Sequence, residues 1–77
     1  MNATPHENPF EKEEAEVQGI IMDISIMMNW ENEKAALWLC VRNPLFGEAM
    51  PISFIYAGRG HKVMRFIETA REENKLI

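Results

Sequence analysis

The chain has one cysteine, four glycines and eight basic residues among its 77, and each scarcity excludes something. A lone Cys40 cannot close an internal disulfide. The two histidines, His6 and His61, lie far apart in the sequence and show no ligand-like spacing to Cys40, which argues against a metal site. Among the glycines only Gly58-Arg59-Gly60 forms a close pair. It lacks the spacing of a dinucleotide or P-loop fingerprint and reads as a turn between helices. Twelve acids outnumber the basic residues, for a net charge of −4. Phosphate backbones demand clustered Lys and Arg, so direct nucleic-acid binding is not expected. No apolar run approaches the length of a membrane span. The start is polar and acidic, unlike a signal peptide. The expectation is a cytoplasmic protein with no membrane association.

A single domain of this size buries roughly 60–65% of the surface its unfolded chain exposes, so its stability is marginal. With disulfide and metal excluded, the remaining staple is a second copy or a partner protein. Six methionines suit either an adaptable interface or a gap-filled core. Cys40 sits in the run Leu37-Trp38-Leu39-Cys40-Val41 with no histidine nearby in sequence, and it reads as a buried core thiol rather than a nucleophile.

Residues 1–8 are polar and proline-containing and read as a flexible arm, leaving 9–77 as one helical domain. Asn8 can cap a helix that begins at Pro9, with Glu11 at the capping-box position. Acids in the first turns complement the helix dipole. Val17, Ile20, Ile21, Ile24, Met27 and Met28 then recur at helical spacing. A strand template also fits Ile20, Met22, Ile24, Ile26 and Met28, all β-branched or flexible apolar residues. Length decides for a helix, because about twenty residues exceed a usual strand. Met22 and Ile26 widen the apolar stripe enough to suggest burial on two sides, and Ile20, Met22, Ile24, Ile26 and Met28 are the candidate self-association residues. Gly19 within this helix costs about 1 kcal/mol relative to alanine, a cost that close packing would explain.

A polar break at Asn29 to Asn32 precedes a short helix over about Glu33 to Val41, ended by Arg42-Asn43-Pro44. Gly47 suits a positive-φ turn. A further short helix starts at Pro51 and stops at Gly58. The last helix runs from about Gly60 to Asn74, with Val63, Phe66, Ile67 and Ala70 inward and Lys62, Arg65, Glu68, Arg71 and Glu72 outward. The fold class is all-α: a bundle of about four helices, one long and N-terminal, two short and one C-terminal. Nothing in it assembles a nucleophile with a base, so no catalytic residues, no cofactor and no enzyme activity are expected. His61 beside Arg59 and Lys62 could hold an anion at a helix start, but it reads more simply as a surface histidine.

From Ala35 to Ile67 the residues follow a family pattern. They read Ala35-Ala36-Leu37-Trp38-Leu39, then Arg42-Asn43-Pro44-Leu45-Phe46-Gly47, Pro51-Ile52-Ser53-Phe54-Ile55, Gly58, and Val63 with Phe66-Ile67. This stretch resembles the toxin-binding domain of Xre/MbcA/ParS-type antitoxins over roughly half the chain. Two departures stand out. The Gly-Gly pair common in that family after the Asn-Pro turn is Gly47-Glu48 here, and there is no room for the N-terminal helix-turn-helix region, so DNA binding does not carry over. The resemblance implies a cytoplasmic bacterial protein that binds a cognate toxin, usually a RES-domain enzyme that degrades NAD, and blocks its active-site entrance. Placed on this sequence, the implied toxin-binding residues are Arg59, Lys62, Arg65, Arg71, Lys75 and Ile77. The alternative is a small homodimeric adaptor that assembles through its first helix.

Overall fold

The computed structural model describes residues 8–73. The expected arm, apart from Asn8, and the candidate residues Lys75 and Ile77 lie outside the described residues. Four α-helices, one 3-10 turn and no strand make up the described chain: α1 Glu11–Met28, α2 Asn32–Leu39, the turn Pro44–Phe46, α3 Pro51–Tyr56 and α4 Gly60–Glu72. This is a small all-α bundle of one long, two short and one C-terminal helix.

The strand alternative for the segment from Ile20 to Met28 does not occur, because α1 carries it unbroken. Its beginning differs from the expectation. Asn8 forms a turn ahead of the helix: its Oδ1 accepts from the Phe10 N–H at 2.9 Å and its carbonyl accepts from the Glu11 N–H at 3.1 Å. Phe10 is the capping residue, so the helix begins two residues after Pro9. Glu11 makes no capping box, and it is Glu14 Oε1 that accepts from the Asn8 side-chain amide, at 3.0 Å. At the other end Asn29 adopts the left-handed conformation, φ 57°, and its N–H and that of Trp30 both bond the Ser25 carbonyl. The Ser25 hydroxyl donates to Asn32 Oδ1 at 2.7 Å, tying the end of α1 to the start of α2.

The second helix is shorter than its apolar pattern suggests, and this corrects the reading of Cys40. Asn43 must be extended (φ −131°, ψ 118°) to precede Pro44 and to pair with Ala49 in an isolated antiparallel bridge. The chain therefore leaves the helix after Leu39, and Cys40 is exposed rather than buried. Leu37 and Val41 also face outward. Of that run only Leu39 is fully buried, and Trp38 is half-buried.

The core is wholly apolar among the described residues. Ile24, Leu39, Ile55, Val63 and Ile67 have no exposed surface, and Val17, Ile20, Ile21 and Ala35 join them. Phe10 and Tyr56 meet edge to face at 5.6 Å, linking the start of α1 to the end of α3. Gly60 is buried against α1, where a side chain would collide with the Glu16 carboxylate. That carboxylate lies at the first residue of α4, where the helix dipole favours negative charge.

Gly19 is not in close packing. A methyl group there would meet nothing within 4 Å. Gly58, by contrast, holds φ 79° between α3 and α4, a left-handed conformation that costs an L-residue. The two substitutions to alanine should have opposite signs in urea denaturation. Gly19→Ala should raise the unfolding free energy by about 1 kcal/mol, and Gly58→Ala should lower it by a similar ~1 kcal/mol.

Candidate functional site

The sequence-derived toxin-binding residues centre on α4. Its inner face is set by Gly60, Val63, Ile67 and Ala70, all buried, which turns Lys62 and Arg65 to solvent. Arg59 caps the helix, also exposed, with its backbone N–H bonded to the Phe54 carbonyl at 2.7 Å. These three cations follow one another at intervals of three residues along one flank, and none has an ion-pair partner among the described residues. Arg71 does not join them. Nine residues beyond Lys62, it falls on the opposite flank of the helix. There it lines an open cleft of about 440 Å³ between α1 and α4, together with Asp23, Ile26, Met27, Met64 and Glu68. The structure thus brings together Arg59, Lys62 and Arg65 and separates Arg71.

The self-association residues divide as well. Ile20 and Ile24 belong to the chain's own core, and Met28 is half-buried against it. Met22, 57% exposed, and Ile26, 79% exposed, point outward. A helical period, unlike a strand period, places them away from Ile24.

Beneath α4 lies an aromatic cluster that positions the rest. Trp38 approaches Phe46 edge-on at 5.8 Å and stacks on Phe66 at 6.4 Å. Phe46 meets Phe66 at 4.6 Å and Phe54 at 5.4 Å. Phe46 reaches this position because the segment from Asn43 to Ala49 closes on itself. Asn43 Oδ1 accepts from the Leu45 N–H, and the Asn43 carbonyl accepts from the N–H groups of Phe46 and Glu48 at 2.8 and 3.0 Å. The Asn43 N–H in turn donates to the Ala49 carbonyl at 3.1 Å. Pro44 supplies the first position of the turn without a donor to waste.

Two consecutive left-handed residues complete this loop: Gly47 and Glu48, each with φ 69°. Glycine takes the conformation freely, whereas a glutamate there is strained. The strain at Glu48 escapes a reading by composition, because a glutamate ordinarily signals only a solvated surface position. No group of three or more His, Cys, Asp or Glu among the described residues is placed to hold a metal ion. No described helix is long and apolar enough to cross a membrane.

Replacing the strained residue, Glu48→Gly, should raise the unfolding free energy by ~0.5–1 kcal/mol, the relief of backbone strain exceeding the added freedom of the unfolded chain. Thermal denaturation of the two proteins side by side measures this. Exposure of Cys40 predicts that a disulfide reagent titrates one thiol in the native protein with no denaturant present. A thiol released only on unfolding would contradict the position of the end of α2. Set against models of known families, curated proteins and solved structures, the chain matches none.

Proposed function

We propose that this chain is a non-enzymatic protein-binding module that occludes a cognate toxin, in the manner of the toxin-binding domain of Xre/MbcA/ParS-type antitoxins. The observation that carries the reading is the conformation of Gly47 and Glu48. The resembled family often has glycine at both positions, and here, where the second is Glu48, both have positive φ. A pattern match by chance would have no reason to place its missing glycine at a left-handed residue. The order of Trp38, Asn43-Pro44, Pro51, Gly58, Val63 and Phe66-Ile67 also has a common structural basis, since these residues build one aromatic corner and one core. Fold by itself does not assign function. The surface assigned to the toxin is the flank of α4 bearing Arg59, Lys62 and Arg65; Arg71, on the opposite flank, and Lys75 and Ile77, which follow in the sequence, are the remaining candidates. The toxin class is a RES-domain enzyme that consumes NAD, and the setting is the bacterial cytoplasm.

A second reading is a homodimeric adaptor joined through α1, favoured by the exposure of Met22 and Ile26. The two separate on partner identity. Co-expression of the chain with a RES-domain toxin in a bacterial host, with cellular NAD as the readout, tests the first. The wild-type chain should preserve NAD. The double charge reversal Lys62→Glu/Arg65→Glu should abolish most of that protection while leaving the helical circular dichroism intact. Removal of residues 75–77 should weaken protection more than it lowers the melting temperature. Protection unaffected by both changes would remove the α4 surface from consideration, and sedimentation of a stable dimer that requires no toxin would favour the adaptor.

A further inference from the structure

We draw no further inference here: the strongest candidate, the exposed apolar side chains of Leu37, Val41 and Leu45 around the end of α2, carries nothing further because nothing in the structure shows what covers them.

Discussion

Four isoleucine or leucine side chains, one from each helix, hold this bundle together. Ile24 of α1, Leu39 of α2, Ile55 of α3 and Ile67 of α4 are all fully enclosed. A chain of 77 residues has few such positions to spare. Truncating any of them to alanine would remove roughly 2–5 kcal/mol, a large share of the whole stability of a small domain. All four belong to one core cluster to which each helix contributes a member. No polar residue among the described ones is buried with them, and the one enclosed side-chain oxygen without a hydrogen bond is Glu13 Oε1 near the start of α1, so the fit of the core depends on shape and apolar contact.

The positions of the polar surface follow from that apolar centre. Once Val63 and Ile67 face inward, Lys62 and Arg65 must face outward, and Arg71 must fall toward α1. Similarly, Ile24 in the core directs Ile26 to solvent. The two candidate binding surfaces are consequences of helical phase, set by the same few residues that stabilise the fold. Their chemistry differs. The flank of α4 is cationic and polar, whereas the outer face of α1 exposes Met22 and Ile26.

Much of this was legible in the residues because strong local signals agree. The periodicity of α1 and α4, the prolines at 44 and 51, and the glycines at 47 and 58 each point to the element they form. The differences come from backbone geometry that residue type and apolar spacing do not reveal. Cys40 looked buried because its neighbours are apolar, but the pairing of Asn43 with Ala49 draws the chain out of the helix before it. Gly19 looked like a contact within the chain because a helical glycine needs a reason, yet its surroundings are empty. The capping box looked satisfied at Glu11, but the turn made by Asn8 shifts the helix start and hands the contact to Glu14. On α4, Arg59, Lys62 and Arg65 lie along one flank and Arg71 lies across the helix from Lys62, a separation already implicit in their nine-residue spacing.

The self-bonded corner from Asn43 to Ala49 bears on how the chain reaches its native state. Its hydrogen bonds all join residues at most six apart, so closing it needs little loop entropy and no help from the core. The helices on either side form two sequential pairs, α1 with α2 and α3 with α4, each made of neighbours along the chain. Most of the folding search is therefore local, the regime in which small helical domains fold fastest. The step that must span most of the chain is the docking of α1 beside α4. It joins the apolar faces of the two helices in one core and sets the carboxylate of Glu16 against Gly60.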